Sequence, residues 1–142
     1  MPEFAVRSAD WSRDQPKLKA IRFEVFCVEQ RVPEELEWDG IDVDCLHAIA
    51  EDGAGRPVGC GRLLPDGHVG RMAVLAAWRG KGVGSALLDH LVALARARGD
   101  AKAMLNAQTH ALPFYERHGF AAVGEPFDEA GIPHRAMERY LR

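Results

Sequence analysis

Apolar positions along the chain recur with two different periods, and the switches between them mark the elements. Phe4-Ala5-Val6-Arg7 reads as a short first strand, and Ser8 to Arg13 as a turn. From about Asp14 the apolar residues Leu18, Ile21, Val25 and Val28, with Phe26 alongside, follow the spacing of one helix face. That helix is expected to stop near Gln30, because Pro33 biases Val32 away from helical geometry. Its opposite face carries Lys17, Arg22 and Glu29. Glu34 to Asp44 reads as an acidic loop around Trp38. Leu46 to Glu51 and Pro57 to Leu64 then form a hairpin about Asp52-Gly53-Ala54-Gly55, and Pro65-Asp66-Gly67 turns into a strand over Val69 to Val74. These strands make an antiparallel meander.

In the second half a helical face returns in Val83, Leu87, Leu91, Leu94 and Arg98, with Ala86 and Ala95 beside it, until Gly99 and Asp100 end the helix. Ala101 to Ala107 is the next strand, expected to run parallel to Val69–Val74 through the helical crossover. Ala111 to His118 predicts a short helix closed by Gly119, a residue suited to the left-handed position after a helix. Phe120 to Val123 and Arg135 to Leu141 pair last, joined by a loop that contains Gly131 and Pro133. The elements run β-α-β-β-β-α-β-α-β, with that final β standing for the last strand pair, within one domain over residues 1–142.

Composition narrows the function classes. The net charge of −3 leaves no basic excess to neutralise a run of nucleic-acid phosphates. No apolar run approaches the ~18 residues of a membrane span, and the start of the chain lacks a basic-then-apolar signal pattern. Cys27, Cys45 and Cys60 are widely spaced and odd in number, which fits a reducing compartment. A cytoplasmic protein is expected, without a nucleic-acid or membrane partner.

The chemistry concentrates between the Val69–Val74 strand and the long helix. The turn Arg79-Gly80-Lys81-Gly82-Val83-Gly84 brings backbone N–H groups to the start of a helix, where peptide dipoles add roughly half a positive charge. Its glycines permit positive φ and close approach, and Arg79 and Lys81 add full charges, so the turn suits a phosphate-bearing ligand. A Walker loop would need glycine where Leu75 stands and serine or threonine where Gly82 stands. A dinucleotide fingerprint would need G-x-G-x-x-G, and this chain has G-x-G-x-G with no acidic residue placed for a ribose.

The remaining pattern, R-G-x-G-x-G after a strand ending in valine and before an S-A-L-L-x-x-L helix, resembles the GNAT superfamily of acyl-CoA-dependent N-acyltransferases. Arg79, Gly82 and Gly84 match its [QR]-x-x-G-x-[GA] motif, while Ala76 stands where many members carry proline. Ala111 to Phe120 is similar to the family's A-x-x-F-Y-x-x-x-G-F segment, and the order of elements agrees. Ile21-Arg22, Val25-Phe26-Cys27, Glu29-Gln30 and Val32-Pro33, then Glu37, Asp39, Asp42, Asp44 and His47, and finally Gly131 to His134, resemble the narrower YjcF-like and ElaA-like bacterial acetyltransferases.

The resemblance implies a mixed, mostly antiparallel α/β (α+β) sheet with helices on both faces. It further implies acetyl-CoA as acyl donor, held by Arg79, Gly80, Lys81, Gly82, Val83 and Gly84 at its diphosphate. Met72, Ala73 and Val74 would meet pantetheine and thioester, and Asn106 the pantetheine arm unless it merely caps its strand end. Tyr115 would supply a proton or hydrogen bond to the departing thiolate. Glu29 is the first candidate base, at the end of a helix bordering the acceptor cleft, and His134 the second. Asp39, Asp42 and Asp44 suit selection of a cationic acceptor, or else a solvated loop. Asp42, Asp44, Cys45 and His47 match no zinc spacing, and no metal is expected. The implied reaction is direct acetyl transfer to a small primary amine, in a protein expected to be a homodimer. A non-catalytic acyl-CoA-binding or sensing module, and acylation of protein N-termini or lysines, are the alternatives.

Overall fold

The computed structural model describes residues 3–141. Strand β1 (Phe4–Ala9) leads into α1 (Trp11–Arg22), and β2 (Leu46–Asp52), β3 (Pro57–Leu63) and β4 (His68–Val74) form the meander. Helix α3 (Val83–Arg98) crosses to β5 (Lys102–Gln108), α4 (Leu112–Arg117) follows, and β6 (Ala121–Glu129) and β7 (Ile132–Tyr140) close the sheet. A four-residue helix, α2 (Glu34–Glu37), lies between α1 and β2. The strands form one sheet in the order β1-β2-β3-β4-β5-β7-β6, in which β4 and β5 are the parallel pair. The expected order of elements and the mixed sheet are both present.

Two apolar layers hold helices to opposite faces. On one, Leu18, Ile21 and Val25 bury against Ile49, Cys60 and Ala73. On the other, Val83, Leu87, Leu88, Leu91, Val92 and Ala95 of α3 pack with Ala48, Ala50, Leu63, Val69 and Leu105, and Phe114 and Tyr115 of α4 join them. The close seat of α3 depends on Gly61: a Cβ there would lie 2.7 Å from Leu91 Cδ1 and 2.9 Å from Met72 Sδ.

Three local expectations are corrected. Helix α1 starts at Trp11, because Asp10 caps it by accepting from the Ser12 N–H at 3.1 Å. Past Arg22 the chain widens into a π-helical segment over Phe23–Glu29, in which the Gln30 N–H reaches the Val25 carbonyl. The wider turn shifts Glu29 relative to the face of α1, and Arg22 is buried, so Lys17, Arg22 and Glu29 do not form one polar side. The last two strands are also longer than expected. Their link is a tight turn at Ala130 and Gly131, both with positive φ, while Pro133 lies within β7 opposite Asp128. Pro126 is accommodated because β6 is the edge strand.

The acidic segment before β2 is not simply solvated. Arg22 is 1% exposed and donates to Glu37 and Asp42, each at 2.7 Å. Arg62 bridges Asp42 at 2.9 Å and Asp39 at 2.6 Å, and Arg71 reaches Asp39 at 3.2 Å. Three guanidiniums thus face three carboxylates. Arg62 holds the Asp39 carboxyl down at about 2, whereas burial pushes the Glu37 carboxyl up.

Two outcomes follow from this network. Removing Arg22 leaves two buried carboxylates short of their cation, so Arg22→Met is expected to lower the unfolding free energy by about 3–5 kcal/mol in urea titration at pH 7. Because the folded value of Asp39 lies below its ordinary 3.8, its stabilisation is complete above that value and is lost as pH falls through about 2. Wild-type denaturation midpoints should therefore decline between about pH 4 and 2.

Candidate functional site

The site begins where the parallel pair fails. β4 and β5 pair only at His68 with Met104 and Val69 with Leu105, while β4 stays bonded to β3 as far as Val74 with Gly59. Beyond Val69 the two strands part, and backbone groups of β4 face a gap. The β3–β4 register also shifts between Cys60 and Arg62, and Arg71 sits in that shift at φ +49. A bulge of this kind flips side-chain alternation. Val69 and Met72 accordingly pack towards α3, and Ala73 towards α1.

The gap opens into a cleft of about 1270 Å³. Met72, Ala73, Val74, Arg79, Gly80, Gly82, Val83, Gly84, Asn106 and Tyr115 all line it, as do Glu29, Asp39 and His134. Lys81 is not among the lining residues, and Asp44 is exposed outside the cleft.

At one end stands the glycine turn. Gly80 and Gly82 have φ of +76 and +87, and a Cβ on either would meet nothing within 4 Å, so the backbone faces open space. The first intrahelical bond runs from the Ala86 N–H to the Gly82 carbonyl at 3.1 Å. The N–H groups of Val83, Gly84 and Ser85 precede it and have no helical acceptor. Open donors, a helix start and the Lys81 charge fit a diphosphate. Arg79 is otherwise engaged: its Nη1 and Nη2 donate to Glu29 at 2.5 and 2.6 Å, and its Nε to the Val74 carbonyl at 3.0 Å. The guanidinium holds the Glu29 carboxyl below its ordinary range.

Burial pushes the Tyr115 phenol up to about 12, so it keeps its proton at any physiological pH. Its ring meets Phe114 and Phe120 edge-on. His134 is 6% exposed; its Nδ1 lies 2.6 Å from the Ile132 carbonyl and its Nε2 3.6 Å from Glu129. The thiols offer no competing nucleophile of ordinary reactivity: burial raises Cys60 to about 12 and also raises Cys27 and Cys45. Among the described residues no group of three or more His, Cys, Asp or Glu could hold a metal ion.

Several lining residues escaped sequence reasoning. Arg71 reads there as an ordinary strand residue, since a bulge has no motif of its own. Gln30 enters the sequence reading only as one position of the resemblance, with no contact assigned; its Oε1 accepts from Gln108 Nε2 at 2.9 Å, tying the end of the π segment to β5. Ser85 Oγ lies 3.0 Å from His118 Nε2, and His118 Nδ1 3.2 Å from Asp89 Oδ1. The helix spacing from Ser85 to Asp89 was available as a signal; the approach of His118 was not.

The comparisons with known proteins agree with this geometry. A family model described as an acetyltransferase (GNAT) domain matches residues 10–141. The uncharacterized N-acetyltransferase YjcF of Bacillus subtilis is 41% identical over 121 residues, covering 82% of this chain and 86% of that one. The crystal structure of an acyl-CoA N-acyltransferase from Pseudomonas aeruginosa superposes with a TM-score of 0.85 at 33% identity, covering 96% of this chain and 99% of that one. That of Escherichia coli ElaA gives a TM-score of 0.85 at 30% identity over 95% and 99% of the two chains.

The Glu29–Arg79 pair is about 42% and 43% exposed, and solvent-exposed pairs contribute little. Glu29→Gln is therefore expected to shift the unfolding free energy by less than about 1 kcal/mol in urea titration. A larger loss would make this bridge a structural clamp.

Proposed function

The chain belongs to the GNAT acetyltransferase family, and on that premise we propose that it transfers an acetyl group from acetyl-CoA to a primary amine of a small molecule, by direct attack in a ternary complex. The observation that carries this reading is the divergence of β4 from β5 after Val69, which opens straight onto the unpaired N–H groups at the start of α3.

Acetyl-CoA supplies an activated thioester carbonyl. On this reading the N–H groups of Gly80 to Gly84, with Lys81, hold its diphosphate, and the free edge of β4 at Met72, Ala73 and Val74 lines up the pantetheine and carbonyl. Asn106 steadies the same arm from β5. A β4 N–H aimed at the carbonyl oxygen stabilises the charge that builds there as the amine's lone pair forms the C–N bond. The C–S bond then breaks, and Tyr115 gives the leaving sulfur a hydrogen bond or its proton. Its raised pKa supports the donor role, because the phenol is never the ionised partner near neutrality.

The attacking ammonium must also lose a proton. Glu29 is the first base and His134 the second. Glu29 is poorly suited while Arg79 holds it ionised, and Arg79 belongs to the phosphate turn. Both roles are satisfied in sequence if the diphosphate draws Arg79 away from Glu29, which raises the affinity of the carboxylate for a proton. Donor binding would then prepare the base before the acceptor is used.

The reading is tested by incubating the protein with acetyl-CoA and a panel of primary amines while following thiol release. Turnover with at least one amine is expected, and Tyr115→Phe should lower kcat by about 10²-fold with little change in acetyl-CoA affinity. Acetyl-CoA binding without transfer to any amine would instead favour a binding module.

A further inference from the structure

Arg71 has no part in the chemistry above, yet the fold holds it in an unusual way. It is the residue of the β4 bulge with φ +49, a left-handed conformation that is disfavoured for a side chain with a Cβ. Its Nη2 donates to the carbonyls of Leu36 and Glu37 at 3.4 and 3.3 Å and to Asp39 Oδ2 at 3.2 Å. Nε lies 3.1 Å from Glu37 Oε2 without the alignment of a hydrogen bond. Nη1 has no hydrogen-bond partner among the described residues and is not buried. The guanidinium is thus anchored by one edge, and a free donor remains on a residue that lines the cleft. Arg62, only 4% exposed and lining the same cleft, likewise leaves its Nε unpaired.

The charges around Arg71 constrain what that donor can serve. Arg22, Arg62 and Arg71 are balanced by Glu37, Asp39 and Asp42, so the cluster has no net charge to draw in a simple cation or a simple anion. It offers opposite charges side by side. Asp39, next to Arg71, lines the cleft, and so does Glu29. A ligand that carries an ammonium and a carboxylate a few bonds apart matches both signs, and guanidinium is well shaped for carboxylate.

We propose that the acceptor is a small zwitterionic amine of the amino-acid class, its carboxylate bound by Arg71 and its ammonium turned towards Asp39 and Glu29. This rests on the acetyltransferase reading and names the acceptor for it. Arg71 acts in binding, not in proton transfer, so its loss should appear in KM.

The test compares the twenty common amino acids with their C-terminal amides and with simple alkylamines and diamines, following thiol release from acetyl-CoA by the wild-type protein. At least one amino acid should be acetylated, with kcat/KM about 10- to 100-fold above its amide. Arg71→Gln should raise KM for that amino acid by a similar factor, leave kcat within a few-fold, and bring acid and amide to near parity. Arg71→Lys should restore part of the discrimination. Acetylation of amides or simple amines with kcat/KM equal to or above that of every amino acid would overturn the zwitterion assignment while sparing the acetyltransferase reading. Absence of transfer to every amine would overturn both. Unequal use of acid and amide that survives Arg71→Gln would remove Arg71 from the assignment.

Discussion

The cleft exists because β4 must satisfy two neighbours and satisfies only one for its full length. It remains hydrogen-bonded to β3 as far as Val74, but pairs with β5 at only two positions. A strand with unpaired backbone groups on one edge is costly unless water or a ligand meets them. Here the unpaired edge faces a cleft large enough for an extended ligand. The bulge at Arg71 lies just past the point of separation, where a bulged strand bends and twists more strongly. Gly61 on β3 leaves the room that Met72 and Leu91 need beside it.

The ionic network supports the same place from beneath. Burying a carboxylate or guanidinium is expensive, and here the cost is offset only because every charge meets an opposite one at 2.6–3.2 Å. Arg22 comes from α1, Glu37 from α2, Arg62 from β3 and Arg71 from β4, so the contacts tie the first helix and the acidic segment to the splayed strand. That arrangement positions Glu29, at the end of the π segment, across from Arg79. The glycine-turn end of the cleft is different in kind. Its polar groups are mainly backbone N–H donors, fixed by the seat of α3 against the sheet.

Much of this was legible in the sequence. The order of elements, the glycine turn and the parallel crossover could be read because each depends on local signals: apolar period, turn residues and a helix start. Tyr115 and Asn106 could be placed in one cleft through their motif and strand position. The Arg22 surroundings could not, because a basic residue on a helix reads as solvated unless its partners, 15 and 20 residues later, are seen to fold over it. The π segment and the β4 bulge are also silent, since each is a change of phase set by tertiary packing. Pro133 misled in the opposite sense, reading as part of a loop where the edge hairpin tolerates it opposite Asp128.

The most direct measurement of the central claim is calorimetric titration of acetyl-CoA into the wild-type protein, Gly82→Asn and Gly82→Asp. Gly82 has φ +87 with open space where a Cβ would go, and asparagine and aspartate tolerate that conformation similarly, so the two variants differ chiefly in charge at the phosphate turn. Wild type and Gly82→Asn should bind, and Gly82→Asp should bind at least about 10-fold more weakly, with the gap narrowing as salt is added. No binding by the wild type, or equal binding by the two variants, would contradict the assignment of the donor site.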